Sequence, residues 1–227
     1  NREWVIRLPA LLAGLLCLPV IYFYARLMYS RSAALLALAW LAVSLPFVDM
    51  ATNARGYSMV ACCGLISHIC IYYILRRNYL WAAIFNALAI GLGLMAVPVA
   101  ILYVGSGGVW AVLESRRLLR AGRLNRFAVL AYAVSVGAGG VIALAGYAPM
   151  LLALGPKWLF ANQWVYPLDW SVFMQRLPLK LLAFARYNAQ GFPRLVAALL
   201  LLGAAGWGLF WGRMVKTGSS LRGILVG

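Results

Sequence analysis

The chain has 227 residues, of which 65% are hydrophobic and only 11% charged, against roughly 45–50% apolar and about 25% charged in soluble domains. That balance excludes a soluble globular domain. The net charge of +16 comes from 20 Lys and Arg against four acids. The basic residues gather at the ends of apolar stretches and never alternate with stacking aromatics, which excludes a nucleic-acid surface.

Uncharged stretches such as residues 8–25 are long enough to cross a hydrocarbon core of about 30 Å as helices. A bilayer offers no water to unpaired backbone groups, so they should be helical. The expectation is an all-α polytopic transmembrane helix bundle of about seven spans. The first, residues 8–25, ends in the basic turn Arg26-Leu27-Met28-Tyr29-Ser30-Arg31. The second, residues 33–48, contains Trp40, and a polar loop follows from Asp49 to Tyr57. The third, about residues 58–75, closes at Arg76-Arg77. Residues 78–113 carry no charge and would make one helix of about 52 Å, too long for a single crossing. Gly91, Gly93 and Pro98 supply a break, which gives two short spans, 80–94 and 97–113. Such breaks are tolerated where neighbouring helices re-satisfy the freed backbone.

The segment Glu114 to Arg126, with Arg116, Arg117, Arg120, Arg123 and Arg126, reads as a solvated loop. A sixth apolar stretch runs from Phe127 to Leu154, and its Gly137, Ala138, Gly139 and Gly140 allow close helix packing. Gly105-Ser106-Gly107-Gly108 sits inside an apolar span and serves packing in the same way. The 155–193 segment opens with Trp158, Phe160, Trp164, Tyr166 and Trp170, residues suited to the membrane–water boundary. Its second half is amphipathic, with Phe173, Leu177, Leu181 and Phe184 on one face and Arg176 and Lys180 on another. It is expected as an interfacial helix capped by Asp169 or Ser171. The last span is residues 195–212. Seven crossings with Arg26 and Arg31 inside put 12 of the 20 basic residues in the cytoplasm, as the positive-inside rule favours. The N-terminus, the 49–57 loop and the 155–193 loop then face outward.

Cys17, Cys62, Cys63 and Cys70 lie inside apolar spans without zinc-ligand spacing and read as small buried hydrophobes. His68, the only histidine, could form a metal or proton site with Cys63 or Cys70, and reads better as a packed residue at a helix interface. There is no phosphate-binding glycine loop and no nucleophile elbow.

Two motifs stand out. Glu3-Trp4-Val5-Ile6-Arg7-Leu8-Pro9-Ala10 is followed by Gly14, and Ala54-Arg55-Gly56-Tyr57-Ser58 opens the third span. With the basic Ala25-Arg26-Leu27 turn, in this order and spacing, they resemble the GT-C membrane glycosyltransferases related to protein O-mannosyltransferases and aminoarabinose transferases. The resemblance covers residues 1–115. Two departures stand out: the second motif reads Ala-Arg-Gly-Tyr where the family has Ala-Arg-Pro-Tyr, and Val97 precedes Pro98 where relatives often carry a histidine.

The resemblance implies transfer of a sugar from a polyprenyl-phosphate donor to a glycan, lipid or protein acceptor, on the extracytoplasmic face of a bacterial inner membrane. It also implies a catalytic acid in a loop upstream of Arg7-Leu8-Pro9. Asn1 leads straight into an apolar span, so the expectation is that this loop and a first transmembrane helix precede the chain. Residues 1–227 would then be a single, incomplete GT-C module without activity of its own. The sequence names no cofactor, and a divalent metal is an option only together with the upstream loop. Beside the resemblance, a lipid phosphate at the interface needs cations at span ends next to a groove. Arg55 and Arg7 meet that need, since the planar guanidinium suits phosphate oxygens, and Tyr57 adds an interfacial ring and hydroxyl. Glu3 and Asp49 are the remaining acid candidates of the first half. The alternative function is a membrane transporter or flippase, which predicts ionisable residues within spans and broken helices.

Overall fold

The computed structural model describes residues 3–53, 56–155, 169–188 and Gly203. The chain divides into two compact units, Asn1–Leu168 and Asp169–Gly227.

In the first unit every described element is helical. α1 spans Glu3–Met28 and carries Pro9 and Pro19. α2, Arg31–Val43, starts at Ser30, whose hydroxyl accepts a hydrogen bond from the Ala33 amide at 3.2 Å. The expected second span, residues 33–48, is a bent pair: α2 and α3, Leu45–Thr52, meet at 60°. The cause is local. Pro46 stands in the first turn of α3 and Ser44 is extended at φ −69°, ψ 108°. Pro46 has no N–H to donate to the Ala42 carbonyl, so α2 cannot run on through it, whereas a proline in the first turn of a new helix is tolerated.

α4, Tyr57–Arg77, runs between a left-handed Gly56 and a left-handed Asn78. α5, Leu80–Ala96, stops at Val97, and a short 3-10 turn, Pro98–Ala100, leads into the next helix. This is the expected break, and it is repaired from neighbouring segments. Pro98 cannot donate to the Leu94 carbonyl, and the Tyr147 hydroxyl donates to it instead at 2.9 Å. Away from the break, the Tyr103 hydroxyl donates to the Ala89 carbonyl inside α5 at 2.8 Å.

α6, Ile101–Arg120, departs from expectation. The basic segment from Glu114 is mostly its last turns, and only residues 121–125 form the loop. Arg and Leu favour helix, so the helix continues until Gly122 at φ +64°. There the Gly122 amide bonds the Leu119 carbonyl at 3.0 Å and the Arg123 amide bonds the Leu118 carbonyl at 2.9 Å. α7, Arg126–Leu154, begins at Asn125, whose side chain accepts from the Phe127 amide at 2.9 Å.

Four of these helices are long and apolar enough to cross a membrane, and the bent pair could make a fifth. The 17-residue α5 is a shorter apolar helix. The expected span at 195–212 lies outside the described residues. Large apolar side chains cover the outside: Leu152 is 87% exposed and Phe127 77%. In water such a surface would drive aggregation; in lipid it is the expected one, because hydrocarbon tails are as apolar as leucine.

α4 is the centre of the bundle. Its Cys70, Ile71, Ile74 and Leu75 pack with Ala82, Ala111 and Ala128 of the surrounding helices. A buried polar chain ties three helices: Ser67 Oγ donates to Asn86 Oδ1 at 2.6 Å, and Asn86 Nδ2 donates to Ser135 Oγ at 2.8 Å. Asn86 is fully buried. α5 and α7 cross closely through glycine. A Cβ on Gly139 would lie 2.7 Å from the Ile90 side chain, and one on Gly91 2.5 Å from Ile142. Gly137 and Gly140 would meet nothing within 4 Å, so one glycine of the expected cluster makes the contact. In the 105–108 run, Gly107 packs against Ile71, whereas Gly105 faces open space.

In the second unit, α8, Trp170–Asn188, is helical over the stretch where a helix is expected. Its start is marked by the Phe173 amide bonding the Asp169 carbonyl at 2.8 Å, and Pro178 lies within it.

Candidate functional site

The two motifs meet at one end of the first unit. Ser58, in the first turn of α4, is buried, and its hydroxyl donates to the Ala10 carbonyl of α1 at 2.7 Å. One turn along α1, a Cβ on Gly14 would lie 2.5 Å from Ala51 Cβ of α3 and 3.9 Å from Ser58 Cβ. Only glycine lets α1, α3 and α4 converge so closely. Deeper still, Cys17 Sγ donates to the Ser58 carbonyl at 3.6 Å. Ser58 therefore latches the corner between α3 and α4 onto α1.

Gly56 closes the other side. Its φ of +73° favours glycine. A Cβ there would stand 3.2 Å from both the Ala96 carbonyl and Val97 Cγ2. Gly56 is thus pressed against the Val97-Pro98 break, the place where relatives often carry a histidine.

The sequence-predicted residues distribute around this junction. Arg7 is exposed on α1, three residues before Ala10, or about 4.5 Å further out along the axis. Tyr57 is 40% exposed at the first position of α4. Asp49, on α3, is exposed and accepts from Asn53 Nδ2 at 3.2 Å. Glu3 is the first residue of α1. Arg55 and Ala54 lie outside the described residues, flanked by Asn53 and Gly56. The sequence reading missed Ser58 as a latch and the approach of Gly56 to Val97. The signals for them were small: a serine directly after the motif, and a glycine where the family carries proline.

His68 is packed at a helix interface. Its Nδ1 lies 2.8 Å from the Gly64 carbonyl, its ring stacks on Trp110 at 6.0 Å, and Tyr24 approaches edge-on at 6.1 Å. Among the described residues no three His, Cys, Asp or Glu side chains converge as metal ligands.

The family model described as dolichyl-phosphate-mannose-protein mannosyltransferase matches residues 1–152. The chain belongs to this mannosyltransferase family. The match runs through α1 to α6 and nearly all of α7, so it contains the whole junction and stops before α8. It extends the resemblance seen in residues 1–115. Comparison with curated proteins and with solved structures gives no significant match. Mannosyltransferases of this family are GT-C membrane glycosyltransferases that use polyprenyl-phosphate sugar donors. With its apolar helices, the chain is an integral, multi-pass membrane protein.

Proposed function

We propose that the chain works in transfer of a sugar from a polyprenyl-phosphate donor to a glycan, lipid or protein acceptor, on the extracytoplasmic face of a bacterial inner membrane. In this reading residues 1–227 form one transmembrane domain of a GT-C module, and the 155–193 segment with α8 lies at the outer surface. Arg55, Arg7 and Tyr57 hold the donor phosphate at the mouth between α1, α3 and α4. Asp49 and Glu3 are secondary acid candidates, with the general base expected upstream of the Arg7-Leu8-Pro9 motif.

One observation carries the reading: the Ser58–Ala10 hydrogen bond of 2.7 Å joins the two motifs that mark the family. Arg7 precedes Ala10 by three residues, about one turn of α1, and Arg55 precedes Ser58 by three residues in the sequence, so both arginines lie within three residues of the latch along the chain. A lipid phosphate needs such an arrangement, because its tail stays in hydrocarbon while its charge meets guanidinium forks at the boundary. The transporter alternative needs ionisable groups within spans. The one buried acid among the described residues, Glu114, is instead paired with Arg76 near helix ends.

The test measures polyprenyl-phosphate binding to the chain in lipid nanodiscs. Arg55→Ala should weaken binding by roughly 1.5–3 kcal/mol, the worth of a hydrogen bond to a charged group. Arg55→Lys should restore only part of it, since a point charge lacks the fork. A folded Arg55→Ala protein that binds the donor lipid like wild type would remove the assignment.

A further inference from the structure

The opposite end of the first unit holds a cationic cleft that the proposed reaction does not use. It opens between the C-terminal ends of α4 and α6 and encloses about 400 Å³. Its walls carry Arg76, Arg77, Arg117 and Arg123, with Tyr72 and the single acid Glu114. Four guanidiniums against one carboxylate leave three positive charges unbalanced.

The cleft is built rather than incidental. Arg76 Nε donates to Glu114 Oε1 at 2.8 Å, and the Glu114 side chain is only 8% exposed. The Arg76 guanidinium also lies 5.0 Å from the centre of the Tyr72 ring. This pair fixes one wall and joins the two helix ends. Arg77, Arg117 and Arg123 are exposed around it. They are not required to cap the helices: the Ala121, Gly122 and Arg123 amides bond α6 carbonyls, and the Tyr79 amide bonds the Tyr73 carbonyl of α4. Like charges lining one cleft repel one another, and an anion between them relieves that repulsion. Leu75 and Leu118 line the same cleft, which places an apolar edge beside the cations.

We propose that this cleft binds a phosphate group, with Arg77, Arg117 and Arg123 as its ligands and the Arg76–Glu114 pair as its frame. Three planar forks suit a phosphomonoester, which carries more charge and more acceptor oxygens than a diester. The position at the ends of two apolar helices favours an anionic lipid headgroup, and a water-soluble phosphate shares the same chemistry. The proposal is independent of the donor site, which lies at the other end of α4.

The experiment uses the chain in phosphatidylcholine nanodiscs doped with phosphatidic acid and reads retained lipid by native mass spectrometry. The combined variant Arg77→Gln, Arg117→Gln, Arg123→Gln is compared with a control of equal charge, Arg116→Gln, Arg120→Gln, Arg126→Gln, whose residues do not line the cleft. Generic attraction of basic residues to an anionic surface is common to both sets. The cleft variant should lose roughly tenfold more affinity than the control, the mark of convergent hydrogen bonds. Equal losses would overturn the site in favour of a diffuse positive surface. Arg117→Lys, which keeps charge and removes the fork, covers the case of misfolding in the triple variant. It should lower retention several-fold, and wild-type retention in both Arg117→Lys and Arg117→Gln would overturn the proposal. Inorganic pyrophosphate in the buffer separates the sources. Retention unchanged by it assigns the site to lipid, and displacement of lipid by it assigns the site to soluble phosphate.

Discussion

Asn86 is the residue whose replacement tests the bundle most directly. It is fully buried in α5 and makes two interhelical hydrogen bonds, 2.6 Å from Ser67 of α4 and 2.8 Å to Ser135 of α7. Asn86→Leu keeps the branched shape of the side chain and removes both. Interhelical side-chain hydrogen bonds in membranes are worth about 0.6 kcal/mol on average and about 1.7 kcal/mol at most. Two of them set a range of about 1.2–3.4 kcal/mol. The lower part applies, because the serines have a local alternative: Ser135 Oγ already donates to the Tyr132 carbonyl of its own helix at 2.7 Å. Ser67 can turn to a carbonyl in its own preceding turn in the same way, which avoids most of the penalty for an unsatisfied buried hydroxyl. The expected destabilisation is therefore about 1–2 kcal/mol, measured by reversible unfolding in mixed micelles. A double-mutant cycle with Ser67→Ala should give a coupling energy of about 0.5–1.5 kcal/mol. An Asn86→Leu protein as stable as wild type, with no coupling to Ser67, would refute the view that this polar chain holds α4, α5 and α7 together.

Gly139→Val should destabilise the protein by about 2 kcal/mol or more by forcing α5 and α7 apart, while Gly137→Ala and Gly140→Ala, with open space at both positions, should leave the unfolding transition in place. Gly56→Ala should cost about 1–2 kcal/mol for a left-handed backbone with a side chain, read from the same unfolding assay. Tyr147→Phe should lower stability by about 0.6–1.7 kcal/mol, because the Leu94 carbonyl then has neither Pro98 nor a hydroxyl to serve it. Orientation is checked by thiol labelling in a background without native cysteines: Asn53→Cys should react with an impermeant reagent from outside and Gly122→Cys only after permeabilisation, and the reverse pattern would invert the topology.

The class of fold was legible in the sequence because it depends on one-body quantities. Apolar length, the scarcity of charge and arginines at span ends act residue by residue, and lipid enforces helix wherever they occur. The break at Pro98 was legible for the same reason, since proline removes a backbone donor whatever surrounds it. Pro46 carried the same signal, yet the bend it makes between α2 and α3 was hidden inside an uninterrupted apolar run. The basic segment after Glu114 read as loop because charge suggests solvent, whereas helix propensity carried α6 on to Arg120. The two family motifs were visible as strings, and their order pointed to the mannosyltransferase family. Their meeting was not visible, because Ser58 and Ala10 are 48 residues apart and a hydrogen bond between them is a two-body fact. The choice of Gly139 over Gly137 and Gly140 is of the same kind. In lipid, apolar character does not distinguish a face turned to a neighbouring helix from one turned to hydrocarbon. Only the placement of Ile90 against Gly139, of Val97 against Gly56 and of Glu114 against Arg76 decided which residues make contacts between helices.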